Sequence, residues 1–134
     1  MKTVCMCGSF RHYYDEMFAL RDALLASGAS CEWPTIEQRR DPKTMTDEEA
    51  NAAILAHLQR MDRADLILIY NKDGYVGNSV VMEIGYAYAR RKPIYVLMPL
   101  QDRFLMSLVT VVARPEDFIE VARSGPGART SASA

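Results

Sequence analysis

Asp65-Leu66-Ile67-Leu68-Ile69-Tyr70 is the stretch that decides the fold. After Asp65 no polar residue interrupts it, so it does not alternate as a half-exposed strand would. A short continuous apolar run marks a strand covered on both faces, the signature of a parallel sheet. Immediately upstream, Thr46-Asp47-Glu48-Glu49 forms a capping box, and a helix follows to about Ala64 with Ala50, Ile54, Leu58 and Met61 on one face. Downstream, Asn71 to Asn78 is a glycine-containing loop. A helix then runs from Ser79 to Arg91, and Lys92-Pro93 ends it before a strand over Pro93–Leu97. Toward the N-terminus, Thr3–Cys7 is a short buried strand closed by Gly8-Ser9. Met17, Leu20 and Leu24 give helical spacing over Tyr13–Leu25, Ser27-Gly28 stops that helix, and Ser30–Trp33 is a strand cut by Pro34. Thr35–Met45 is polar and reads as a loop. Beyond Leu97 the pattern predicts a helical turn near Arg103–Leu108, a strand near Val109–Val112 and a helix over Pro115–Arg123.

Alternating strands and helices imply an α/β domain. The expected architecture is a flavodoxin/Rossmann-like three-layer sandwich with a parallel sheet of four or five strands in the order 2-1-3-4-5. In that order a ligand crevice opens beyond the carboxyl ends of the first and third strands. It would bring Gly8-Ser9-Phe10-Arg11 together with the segment from Asn71 to Glu83. One domain is expected over residues 1–123, with a Gly/Ser/Ala-rich, disordered tail over residues 124–134.

Composition narrows the classes. The formal net charge is −1 and no basic stripe is visible, which argues against a polymeric nucleic acid or a membrane surface as partner. Cys5, Cys7 and Cys31 are odd in number, and their spacing resembles no metal knuckle, so neither a disulfide framework nor a metal is expected. The apolar run after Lys2 is too short for the core of a signal peptide. The chain reads as cytoplasmic, with reduced thiols and no cofactor.

The turn Gly8-Ser9-Phe10-Arg11 leads from a strand into a helix. Glycine there permits close backbone approach, the helix N-terminus offers free N–H groups to an anion, and Arg11 adds a forked donor. It lacks the lysine and second glycine of a P-loop, and a plain strand-to-helix turn is the alternative. The loop Asn71–Ser79 is long for such a connection. Gly74 and Gly77 allow bends, Asn78 or Ser79 is placed to cap the next helix, and Tyr75 at the apex is placed to stack on a ring. Glu83 stands out most, an acid among Val80, Val81, Met82, Ile84 and Gly85 near a helix N-terminus. A fixed, ionised carboxylate at a crevice suits a nucleophile, and a salt bridge, for example to Arg90, is the alternative. His57 lies on the preceding helix and titrates in the range that suits proton transfer. His12 is a second such residue. Cys5 and Cys7 read as strand packing.

Cys7-Gly8-Ser9 after the first strand, Ala64-Asp65 opening the third, Met82-Glu83-Ile84-Gly85-Tyr86-Ala87 and then Lys92-Pro93-Ile94 coincide. Over roughly Thr3 to Leu108 this pattern resembles the nucleoside 2-deoxyribosyltransferase superfamily, including its 2′-deoxynucleoside 5′-phosphate N-hydrolase branch. The resemblance implies cleavage of an N-glycosidic bond. Glu83 matches the family nucleophile, and Gly8, Ser9 and Arg11 match the loop that helps hold a 5′-phosphate. It also implies a small-molecule nucleoside or nucleotide as partner, and a homodimer or higher homo-oligomer. In the family a neighbouring subunit completes the site through a polar residue after the fourth strand; Ser107 stands beside that position and Met106 in it. Three positions depart from the pattern. His57 stands where an aspartate aids the leaving base, Cys5 where the hydrolases carry a tyrosine, and Gly77 where an acid or serine is usual. These departures leave two readings, a nucleoside or nucleotide N-glycosidase or transferase with His57 in the aspartate's role, and a non-catalytic nucleotide-binding or sensing domain. A flavodoxin or a receiver domain is disfavoured, because the first loop is not Ser/Thr-rich and no acidic pair follows the first strand.

Overall fold

The computed structural model describes residues 2–33 and 41–124. Five parallel strands form one sheet in the order β2-β1-β3-β4-β5, with β1 Thr3–Gly8, β2 Ser30–Cys31, β3 Leu66–Tyr70, β4 Ile94–Val96 and β5 Thr110–Val111. This is the expected order. The helices are α1 Phe10–Ala26, α2 Asp47–Arg63, α3 Asn78–Ala89, α4 Arg103–Met106 and α5 Pro115–Ser124.

Parity along the central strands builds two cores. Val4, Met6, Leu66, Leu68 and Tyr70 face α1 and α5, meeting Met17, Leu20, Leu24, Phe118 and Ala122. Cys5, Cys7, Ile67 and Ile69 face the other way, against Met61 of α2 and Val80, Ile84 and Ala87 of α3. Every residue of β3 is therefore buried, which is why its sequence shows no alternation.

The capping box forms as expected. The Glu49 amide donates to Thr46 Oγ1 at 3.1 Å, and the Thr46 amide donates to Glu49 Oε1 at 2.9 Å. At the far end of α2, Lys92 Nζ donates to the carbonyls of Asp62 and Ala64, both at 2.9 Å. A cation there satisfies carbonyls that have no helical partner.

Several boundaries differ from the sequence reading. The second strand pairs only at Ser30 and Cys31, because its sole neighbour is β1 and the paired register stops at Val4↔Cys31. α1 starts at Phe10 rather than Tyr13. Tyr13 itself departs from helical geometry (φ −124°, ψ 24°), and this kink hid the first turn. α3 starts at Asn78 with Gly77 as its N-cap, so neither Asn78 nor Ser79 is the capping residue. Pro42–Thr44 is a single 3₁₀ turn inside the expected loop, whose residues 35–40 lie outside the described residues. Ser124 is the last residue of α5, and the expected tail beyond it also lies outside the described residues.

The end of β1 is fixed by close contact. A Cβ on Gly8 would lie 2.8 Å from the Tyr70 carbonyl oxygen and 3.2 Å from Tyr70 Cβ. Both belong to the adjacent strand β3, where Gly8 pairs with Tyr70, so neither is free to retreat. Gly8→Ala is expected to cost about 2 kcal/mol by overpacking. A thermal melt of the variant indistinguishable from the wild type would contradict this.

Candidate active site

A cavity of about 700 Å³ opens beside the carboxyl end of β1. Gly8 and Phe10 form one side. Ala50, Ala53, Ile54 and Ala56 of α2 form an apolar wall, with Trp33, Pro42 and Met45 nearby. The polar groups reaching it are Glu49, His57, Arg60, Ser79 and Glu83. Small residues on α2 leave the space, and the rings of Phe10 and Trp33 lie 5.0 Å apart beside it. An apolar cleft with a few convergent polar groups is the usual form of a small-molecule site.

Glu83 sits in the second turn of α3 and is 7% exposed; His57, from α2, is 6% exposed. Glu83 Oε1 lies 3.7 Å from His57 Nε2. His57 Nε2 is 3.3 Å from Cys7 Sγ, and Arg60 Nη2 is 3.0 Å from His57 Nδ1. A guanidinium has only donors, so Nδ1 accepts and the ring proton resides on Nε2. The Cys7 thiol in turn favours the charged form of the Glu83 carboxylate. Arg60, His57, Cys7 and Glu83 thus form one polar chain from the cavity wall to the buried acid. Trp33 meets the His57 ring edge-on at 5.0 Å and fixes its plane.

Burial and Arg60 together push His57 down to about 3, so the imidazole is neutral at physiological pH. Burial pushes Glu83 up to about 7, opposed by the Cys7 hydrogen bond and the Arg60 charge. The Cys7 thiol is raised by its hydrogen bond with Cys5, by burial and by the nearby Glu83, and stays protonated.

The remaining sequence candidates divide. Gly8, Phe10, Ser79, His57 and Glu83 line the cavity; Ser9, Arg11, Asn71, Tyr75, Gly77, Asn78 and Ser107 are not among the residues lining it. Ser9 Oγ meets His12 Nδ1 at 2.7 Å, and His12 stacks on Tyr75 at 4.4 Å, so these contacts join the first turn to the loop after β3. Arg11 is exposed and pairs with Asp41 at 3.9 Å. Gly77 packs under the Tyr75 hydroxyl, and Asn78 is exposed.

Asn71 is fully buried and turned away from the cavity into the strand ends. Its Oδ1 accepts from the Leu97 and Met98 amides at 2.9 and 3.1 Å, and its Nδ2 donates to the Met98 carbonyl at 3.0 Å. Ser107 donates to the Phe104 carbonyl and lines a different cleft, beside Lys92 and Thr110. Sequence reading passed over Trp33 and Arg60. Arg60 was detectable as the i+3 neighbour of His57 on one helix face, whereas nothing near Trp33 in sequence pointed to the site.

The family model for nucleoside 2-deoxyribosyltransferase matches residues 6–124. The chain belongs to that family. No curated protein sequence matches it. Among solved structures, a conserved protein from Enterococcus faecalis V583 is similar at 15% identity and TM-score 0.67, over 92% of this chain and 98% of that one. The 2-deoxyribosyltransferase of Bacillus psychrosaccharolyticus is similar at 16% identity and TM-score 0.64, over 87% and 90%. The CMP N-glycosidase of Clostridium botulinum is similar at 16% identity and TM-score 0.56, over 89% and 95%. At these identities the likeness establishes a shared fold. Within this deoxyribosyltransferase fold, no helix among the described residues is long and apolar enough to cross a membrane.

Proposed function

We propose that this chain cleaves the N-glycosidic bond of a (deoxy)nucleoside or nucleoside 5′-monophosphate, with Glu83 as nucleophile. The observation that carries the reading is a buried carboxylate at the floor of an apolar, aromatic-edged cavity, in a member of the deoxyribosyltransferase family. The Glu83 carboxylate attacks the anomeric carbon as the bond to the base breaks, and the bonding pair leaves with the base. The transition state resembles an oxocarbenium ion, which an adjacent anion stabilises. Water or a second base then attacks the glycosyl-enzyme, releasing the sugar with retention and restoring the carboxylate.

The neutral His57 acts here as a fixed hydrogen-bond donor rather than as a charged acid. Its Nε2–H supports Cys7, and Cys7 supports the ionised Glu83. The departing base therefore takes its proton from a donor other than His57, such as water. Arg60 Nε is buried without a hydrogen-bond partner among the described residues, a donor that suits a base carbonyl. The family resemblance assigns a 5′-phosphate to the turn of Gly8, Ser9 and Arg11, of which Gly8 lines the cavity; Arg11 would have to leave Asp41 to reach it, and the homo-oligomer implied by the family would bring Ser107 to a neighbouring site.

The test is base release from a panel of nucleosides and their 5′-monophosphates. Release from monophosphates alone is the expected result if Gly8 to Arg11 hold phosphate. Release from nucleosides alone would remove that role. Nucleotide binding with no release from any substrate would favour a non-catalytic sensor, the reading to which the neutral His57 lends weight.

A further inference from the structure

We infer that Cys5, Cys7 and His57 form a binding site for a thiophilic divalent cation of the zinc class, with Glu83 as fourth ligand. Cys5 and Cys7 alternate with Met6, so both thiols leave β1 on the same face. α2 brings His57 onto them from 50 residues beyond Cys7. The Sγ atoms and an imidazole nitrogen all lie within 4.8 Å of one another, and all three residues are buried. Glu83 of α3 stands beside this group, its Oε1 3.7 Å from His57 Nε2, and joins the ion by a movement of its side chain.

The two separations made by His57 Nε2 are close to those of a tetrahedral ion. Zinc–sulfur bonds of ~2.3 Å and zinc–nitrogen bonds of ~2.0–2.1 Å place such ligands ~3.6 Å apart. Cys7 Sγ and His57 Nε2 are 3.3 Å apart. A carboxylate oxygen and an imidazole nitrogen on one zinc ion would be ~3.4 Å apart, and Glu83 Oε1 is 3.7 Å from His57 Nε2. Movements of a few tenths of an ångström bring both pairs to ligand distance. Two thiolates with an imidazole favour zinc over magnesium or calcium, which prefer oxygen.

Binding releases the two thiol protons, and the His57 ring proton passes from Nε2 to Nδ1. Arg60 must then swing from Nδ1, because two donors cannot face each other. Two thiolates, one carboxylate and a divalent cation sum to one negative charge, which the neighbouring guanidinium balances. The cavity is the entry path, since His57 and Glu83 line it.

The consequence is control of the active site. A metal that holds Glu83 withdraws the carboxylate from the anomeric carbon, so loading switches base release off. This consequence rests on the N-glycosidase reading; the site itself does not.

Cobalt(II) separates the two. Chelator-treated, reduced wild-type protein titrated with Co²⁺ is expected to show thiolate-to-cobalt charge-transfer absorption and the visible bands of a tetrahedral ion, saturating at one equivalent. Cys31→Ser should keep both, because Cys31 lies on β2 in the opposite core. Cys5→Ser should lose the charge-transfer intensity. No such bands in folded wild-type protein, or bands unchanged in Cys5→Ser, would overturn the site. In the base-release assay, Zn²⁺ should silence the metal-free wild type and leave Cys5→Ser active. Undiminished wild-type release at saturating Zn²⁺ would overturn Glu83 as a ligand. If the metal-free protein releases no base at all, the N-glycosidase reading fails while the cobalt spectra still decide the site.

Discussion

Glu83→Gln is expected to lower base release by ~10⁴-fold or more while making the protein more stable at pH 8, on the order of 2–3 kcal/mol. Both effects follow from one fact, the burial of an acid in the middle of α3. Without a carboxylate no glycosyl-enzyme forms, and loss of a nucleophile is among the largest effects a single substitution has. The stability gain has the opposite sign because the native acid is raised to about 7 from an ordinary 4.5. A raised acid holds its proton more tightly when folded. Stability is therefore full below the unfolded value and falls as pH rises through about 7, where the buried carboxylate is forced to ionise. Glutamine keeps the shape and an acceptor for Cys7 and carries no charge. The stability gap between variant and wild type should be near zero at pH 4, below the unfolded value, and widest at pH 8. The same titration sets activity, so wild-type kcat/KM should climb with pH through about 7. Thermal melts at the two pH values and a pH–rate profile check all three statements. A variant that retains base release ends the nucleophile assignment, and a variant less stable than wild type at pH 8 ends the electrostatic one.

Much of this was legible in the sequence, and the limits have physical causes. Leu66 to Tyr70 revealed the parallel sheet because burial on both faces erases alternation. Thr46 and Glu49 marked the start of α2 because their bonds are local. Glu83 stood out because a lone acid among apolar residues is costly unless it has partners. Tertiary pairing was less accessible. The second strand ends at Cys31 because its length is set by β1, not by its own residues. Asn71 read as a loop residue facing a ligand, since only the position of β4 shows that its amide is spent on Leu97 and Met98. The cluster of Cys5, Cys7 and His57 was invisible to spacing rules, which find ligands close together in sequence. Here the third ligand comes from a helix that the topology lays across β1.

Asn71→Ala is expected to destabilise the protein by about 3 kcal/mol, lowering Tm by ~10 °C. Three hydrogen bonds disappear together. The Leu97 amide is left unpaired in a buried setting, and the Met98 amide loses an acceptor beside it. Unsatisfied buried donors cost more than the bonds themselves contribute. Those bonds tie the end of β3 to the chain leaving β4, and Asn71 also opens the loop that carries Tyr75. A substrate-binding role predicts the contrary pattern, an unchanged Tm with a raised KM. Asn71→Asp sharpens the distinction. Its carboxylate still accepts from both amides, but its second oxygen faces the Met98 carbonyl, where Nδ2 donated. Protonation turns that oxygen into a donor and restores the third bond. The introduced carboxyl should therefore have a raised pKa in the folded state, so that the variant is most stable at low pH and weakens relative to wild type as pH rises. Paired melts of variant and wild type across pH measure that difference. If Asn71→Asp melts at the wild-type temperature at pH 8, the amide is not the clamp between β3 and β4, and the loop owes its position to the His12–Tyr75 stack instead.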